Sequence, residues 1–307
     1  MNRGNAAGTG KEKPADEVMK GNGPWLGNAK AAAAVLKRFG IRIRKRFGQN
    51  FLIDGRVLDK IIAAAEVGKD DFVLEIGPGI GTLTQYLSDA AKEVLAVEID
   101  RDLIQVLAYT LDGFDNVTIL NEDILKTDLK AVSEERNEGK PLKVVANLPY
   151  YITTPIIMGL LESAAPVEMM TFMVQKEVAQ RMCAPPGGKD YGALTLAVQY
   201  RCTAQINAEV PPNCFIPRPD VTSSVITLKT REEKIPVKDE ALLFTLIRAA
   251  FSTRRKTLVN CIAQQPELGL GKEEARKLLI LAGFGENVRG EQLSLEDFVK
   301  LADLLKT

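Results

Sequence analysis

Apolar positions fall into two rhythms along this chain. Short, nearly continuous apolar runs occur at Phe72–Ile76, Val94–Ile99, Val117–Leu120, Lys143–Ala146 and Met169–Val174. Runs of that length predict strands buried on both faces, as in the middle of a parallel sheet. Helical spacing fills the gaps between them. Asp54 can cap a helix that carries Val57, Leu58, Ile61 and Ile62, and further helices are expected from Thr82, over Arg101–Thr110, from Thr154-Pro155 and over Gln175–Arg181. Leu194–Tyr200 continues as an apolar element. Gln205–Val210 and Ser224–Leu228 look like a late strand pair joined by a rigid loop, Pro211–Pro219, that carries Phe215. Strands alternating with helices imply a parallel sheet, and the late pair implies an antiparallel edge. The charged stretch Ser133–Lys140 reads as a loop or an exposed helix end.

After about Thr230 the rhythm changes. No further strands are expected, and Ala241–Phe251, Lys256–Ala263, Lys272–Leu281 and Ser294–Leu305 all read as helices. At the other end, Met1 to Asn28 is rich in Gly, Asn, Ala and Lys and reads as a flexible tail, followed by a short helix at Ala29–Arg38. The expected organisation is a tail over 1–28, an α/β catalytic domain over 29–229 and a small all-helical domain over 230–307.

Composition narrows the chemistry by what it lacks. The 307 residues contain no His, which removes Ser-His and Cys-His catalysis and His-ligated metals. Four scattered Cys offer no CxxC pair, so neither a zinc site nor a disulfide framework is expected, and a reduced, cytoplasmic setting fits. No apolar run reaches membrane-spanning length and no signal-peptide core opens the chain. Glu12, Asp16 and Glu17 argue against a transit peptide. Lys plus Arg equals Asp plus Glu, 40 each, so any nucleic-acid contact must come from local clusters. One such cluster is Ile41–Leu52, where Arg44, Lys45 and Arg46 form a basic patch suited to phosphates and Gln49 and Asn50 lie between Phe47 and Phe51 as a possible lid. By composition alone that stretch reads slightly better as a solvated charged strand with two aromatic anchors.

Two strand ends carry candidate chemistry. Gly77, Gly79 and Gly81 form a Gly-rich loop between a strand and a helix, but Thr82 stands where a dinucleotide fingerprint needs its third Gly, and no Walker-type Lys follows. Glu98, about twenty residues on at the next strand end, can take a ribose diol, and Asp123 at the third can accept from an adenine amino group. Each carboxylate taken singly is more often a solvated strand end. A close-approach loop, two acidic readers and no phosphate grip suit S-adenosylmethionine. The fourth strand runs into Asn147-Leu148-Pro149-Tyr150. The Asn147 amide oxygen and a neighbouring carbonyl can accept from an exocyclic amine, Pro149 fixes the turn, and Tyr150 offers a flat face. The same four residues would also describe a strand-to-loop turn with a buried Tyr.

These stretches, with Phe47–Leu52, Glu75–Gly81, Val97–Asp100, Gln175–Val178, Asp190–Gly192, Phe215–Pro219 and Phe251–Leu258, closely resemble the small-subunit rRNA adenine N6,N6-dimethyltransferases, the kasugamycin-sensitivity family. The resemblance runs from about Phe39 to the C-terminus. It implies a Rossmann-like class I methyltransferase sheet and S-adenosylmethionine as cofactor. Asn50 and Leu52 would close over that cofactor, with Gly77 and Gly79 at its amino-acid end, Glu98 on the ribose and Asp123 on the adenine. Asn147 and Leu148 would orient the target amine, and Tyr150 and Phe215 would stack on the target base. Arg254, Arg255 and Lys256 would help seat the RNA. The implied substrate is a pair of adjacent adenosines in the 3′-terminal hairpin of small-subunit rRNA, within a ribosomal precursor particle, and a monomer without metal or membrane is expected. The residues before Phe39 fall outside the resemblance, and Asn121-Glu122-Asp123 is a loose version of the family's third motif. The rival readings are a large-subunit rRNA methyltransferase of the macrolide-resistance type, a DNA adenine methyltransferase and an assembly factor on the same fold; an NAD-linked oxidoreductase is more distant.

Overall fold

Seven strands build the central sheet of the computed structural model, which describes residues 22–41, 48–253 and 255–306. In chain order they are β2 (Phe72–Ile76), β3 (Glu93–Val97), β4 (Val117–Leu120), β5 (Leu142–Asn147), β6 (Val167–Gln175), β7 (Cys202–Val210) and β9 (Ser223–Thr230). Their spatial order is β4-β3-β2-β5-β6-β9-β7. The first five pair in parallel, and β9 runs antiparallel to both β6 and β7. The apolar runs explain this layout. All five residues of β2 are buried, because helices cover both of its faces. The shorter strands β1 (Phe51–Leu52) and β8 (Phe215–Ile216) form a separate antiparallel ribbon, with Leu52 opposite Phe215.

Helices cross between the strands, several with a side-chain cap. Asp54 accepts from the Arg56 N–H at the start of α2 (Gly55–Ala64), which buries Val57, Leu58 and Ile61. The Gly loop leads into α3 (Thr82–Ala90), Asp100 caps α4 (Arg101–Thr110), and α6 (Thr153–Glu162) follows the turn after β5. The charged stretch Ser133–Lys140 opens with the second half of α5 (Leu129–Arg136) and leaves it after Arg136. Asp128 caps that helix through two N–H groups, a short-range signal that outweighs its polar composition.

The expected tail over 1–28 needs correcting over its described part, 22–28. Leu26 is completely buried and its N–H donates to Gln85 Oε1 at 2.9 Å. Gln85 returns a bond to the Pro24 carbonyl at 3.0 Å, and Trp25 packs against Tyr86 with ring centroids 4.7 Å apart. This strap leads into α1 (Ala29–Arg38), whose Ala32 and Val35 join a small core with Ile80 and Leu103. Its polar and small residues hid one apolar anchor. Residues 1–21 lie outside the described residues.

Beyond β9, helices α9 (Glu240–Phe251), α10 (Leu258–Ala263), α11 (Lys272–Leu281) and α12 (Leu295–Leu305) surround their own core, with Leu246, Leu279 and Phe298 at its centre. That core also takes in Tyr191, Leu196 and Tyr200 from before the expected boundary. The last two belong to α8 (Ala193–Arg201), which follows α7 (Lys176–Met182); the opposite face of α8, with Leu194 and Val198, belongs to the core of the sheet. The helices are therefore fastened to the sheet through a shared element, and the Tyr191 hydroxyl adds a bond to the Leu293 carbonyl at 2.8 Å.

Candidate active site

Four neighbouring parallel strands end at one cavity of about 1040 Å³, counted with its open mouth. Ligands collect at such strand ends in open α/β sheets. The strand order β4-β3-β2-β5 sets the order of side chains along its floor: Asp123, Glu98, the Gly77–Gly79 loop, then Asn147. Gly48 to Leu52 line it as well. The sequence-predicted residues Asn50, Leu52, Gly77, Gly79, Glu98, Asp123, Asn147, Leu148 and Tyr150 thus share one cavity.

Glu98 is only 5% exposed and is held by backbone. Oε1 accepts from the Asp100 N–H at 2.8 Å and Oε2 from the Gly79 N–H at 3.2 Å. Burial pushes its carboxyl up to about 7, against these two bonds. Gly79 has φ +62°, and a Cβ there would lie 3.1 Å from the Phe51 ring, so the loop can pass close to the lid only as glycine. The Asp123 carboxylate accepts from the Leu125 N–H at 3.1 Å.

The turn after β5 is tied on both sides. The Leu148 N–H donates to the Met173 carbonyl at 3.0 Å and its side chain is buried, while the Thr153 hydroxyl donates to the Pro149 carbonyl at 3.0 Å. Asn147 Nδ2 donates to the Asn50 carbonyl at 2.9 Å. With the nitrogen engaged, Oδ1 is the polar atom left to accept from a ligand. The Tyr150 hydroxyl shares a 2.7 Å hydrogen bond with Ser223 Oγ on β9, which fixes the ring's tilt at the cavity wall. The Gln49 amide bonds Asp100 Oδ2 at 2.9 Å, so the lid is moored at both the β3 and β5 ends.

Phe215 is the exception. It is 1% exposed, packs with Leu52, Val57 and Val225, and does not line the cavity. Pairing of β8 with β1 turns its ring into the core, so the expected second stacking face is not presented. Arg255 and Lys256 are exposed between α9 and α10, away from the cavity lining, and Lys256 Nζ bonds Gln264 at 2.9 Å. Arg44, Lys45, Arg46 and Arg254 lie outside the described residues.

Sequence reasoning passed over two cavity residues. Glu75 is a carboxylate in an otherwise apolar strand, which was the available signal. It is buried, its Oε2 has no hydrogen-bond partner, and burial pushes it up to about 8. Tyr151, directly after the turn that follows β5, is exposed and lines the mouth. Among the described residues no group of side chains could hold a metal, and no helix is long and apolar enough to cross a membrane.

The family model described as ribosomal RNA adenine dimethylase matches residues 40–307. The chain belongs to this ribosomal RNA adenine dimethylase family. As a member of that family it is an S-adenosylmethionine-dependent methyltransferase with a class I fold. The ribosomal RNA small subunit methyltransferase A of Lachnoclostridium phytofermentans is 57% identical over 283 residues, covering 92% of this chain and 98% of the relative. The protein of the same name from Clostridioides difficile is 46% identical over 286 residues, 92% of this chain and 97% of the relative. Among solved structures, a dimethyladenosine transferase from Plasmodium falciparum aligns with a TM-score of 0.66 at 28% identity, covering 82% of this chain and 95% of that one. The 23S rRNA methyltransferase ErmE aligns with a TM-score of 0.63 at 26% identity, covering 84% and 100%. The dimethylase cavity fits its family's cofactor: an acidic group that no cation pairs with among the described residues, for a diol, glycine backbone for close approach, and an unpartnered Glu75 oxygen where a positively charged group could settle.

Proposed function

We propose that this protein dimethylates N6 of two adjacent adenosines in the 3′-terminal hairpin of small-subunit rRNA, acting as a monomer on a ribosomal precursor particle. The observation that carries the reading is the placement of Asn147 in one cavity with Gly77, Glu98 and Asp123. Its support in kind comes from relatives named as small-subunit methyltransferases over nearly their whole length.

When bound, the cofactor would supply an electrophilic methyl carbon. Glu98 would accept from its ribose and Asp123 from its adenine amine, while Gly77 and Gly79 would let its amino-acid end approach the backbone. The adenosine N6 is a weak nucleophile because its lone pair is conjugated with the ring. Asn147 Oδ1 and the Leu148 carbonyl accept from N6–H, favour a pyramidal nitrogen and stabilise the positive charge that develops on it. The mooring of Asn147 Nδ2 on Asn50 keeps the amide from presenting its donor end to the amine. Positioning supplies most of the rate, and the proton leaves the alkylated nitrogen without a strong base, in keeping with a chain that has no His. The target base must leave its stack, and Tyr150 replaces part of the lost stacking, worth roughly 1–3 kcal/mol. Arg254, Arg255 and Lys256, with Arg44, Lys45 and Arg46, contact phosphates.

Methylation of small subunits from an unmethylated strain, mapped by mass spectrometry, tests the assignment. Two dimethylated neighbouring adenosines near the 3′ end are expected. Modification of large-subunit rRNA alone would replace this reading with the large-subunit one.

A further inference from the structure

Tyr151 has no part in the reaction just described, yet its setting is unusual. It is 56% exposed at the mouth of the same cavity. One side of the ring is set by the lid backbone. A Cβ placed on Gly48 would lie 3.3 Å from its Cδ1 and 3.7 Å from its Cε1, so the ring rests on bare lid backbone at a residue with φ +56°. Tyr151, Glu98 and Asp123 line the same cavity, and burial, then the charges of Asp123 and Glu98, push the phenol above the ordinary tyrosine value. Tyr150, by contrast, is tethered the other way, to Ser223. Ile99, 49% exposed, follows Glu98 and lines the same mouth. Two large apolar side chains therefore stand half in water around the two acidic strand ends, where a flat ligand would cover them.

We propose that Tyr151 is a cofactor-binding residue whose ring closes over the adenosine end of S-adenosylmethionine, between the lid at Gly48 and the strand ends at Glu98 and Asp123. The inference rests on the cofactor assignment and divides the consecutive tyrosines: Tyr150 serves the methyl acceptor and Tyr151 the methyl donor. An aromatic face contributes here because adenine stacks on it whatever the rest of the ligand does.

The test is calorimetric titration of the full chain with S-adenosylhomocysteine. Binding by the unaltered protein checks the cofactor assignment by itself. Tyr151→Ala is expected to raise Kd about tenfold, and Tyr151→Phe to change it less than about twofold, as loss of a stacking face but not of a hydroxyl requires. Without cofactor the Ala variant binds small subunits as before. Unchanged Kd in the Ala variant overturns the proposal. So does a loss that falls on small-subunit affinity instead, which would make the ring an RNA platform. If thermal melting shows the Ala variant unfolded, Tyr151→Leu replaces it, with the same tenfold loss expected and full affinity again decisive against the idea.

Discussion

Cofactor affinity should rise with pH between 6 and 8, and Glu98 should be the reason. Its carboxyl stands at about 7 because burial outweighs the two backbone N–H groups it accepts from. A ribose diol donates to a carboxylate but gains much less from a neutral acid. Affinity for S-adenosylhomocysteine should therefore track the ionised fraction, about one-eleventh at pH 6 and ten-elevenths at pH 8, a change of about tenfold. Stability of the unliganded protein has the opposite slope. The folded value is raised above the unfolded one, so the group's contribution is fully present below about pH 4 and is lost as pH rises through about 7. At about 1.4 kcal/mol per tenfold, the total loss from this one group is about 3 kcal/mol. Calorimetric titrations at pH 6, 7 and 8, with thermal melts of the unliganded protein alongside, measure both slopes. Glu98→Gln should hold the affinity near its low-pH level at every pH and should melt higher than the unaltered protein at pH 8. A flat pH profile in the unaltered protein, or an equal slope surviving in the variant, would refute the reasoning, because Glu75 titrates nearby and remains in both.

Asn147→Ala should lower the single-turnover methylation rate at least a hundredfold while leaving small-subunit affinity within about twofold, since it removes an acceptor used in the transition state; full activity would exclude the assigned role. Replacing Arg254, Arg255 and Lys256 together should weaken RNA binding and reduce the slope of log affinity against log salt by about 2 to 3, and filter-binding across a salt series reads that slope directly. Leu26→Ala should cost about 2–5 kcal/mol by denaturant titration, because its side chain is completely enclosed, whereas a mobile tail would show no change.

The strands and the strand-end chemistry were legible because both are local. An apolar run such as Phe72–Ile76 announces a central parallel strand, and the residue just past its end must face the sheet's edge. That logic found Glu98, Asp123 and Asn147 without coordinates. It failed where pairing between distant segments decides the outcome. Phe215 sits in a loop rich in Pro, and only its partnership with Leu52, more than 160 residues earlier, turns the ring inward. Leu26 likewise depends on the Gln85 amide, 59 residues later, and nothing in the polar stretch around it signals that partner. Glu75 was visible as an acid among apolar neighbours, but its orphaned oxygen is a property of the packed site.

Helix α8 gives one face to the sheet and the other to the C-terminal helices, and this bears on how the molecule can be recombined. A chimera joined at residue 230 would pair Leu196 and Tyr200 with side chains chosen for a different partner. Cutting there without a replacement would leave that flank of the helix naked in water. An exchange of C-terminal modules between relatives should therefore move its joint upstream and carry Ala184 to Arg201 along with the module.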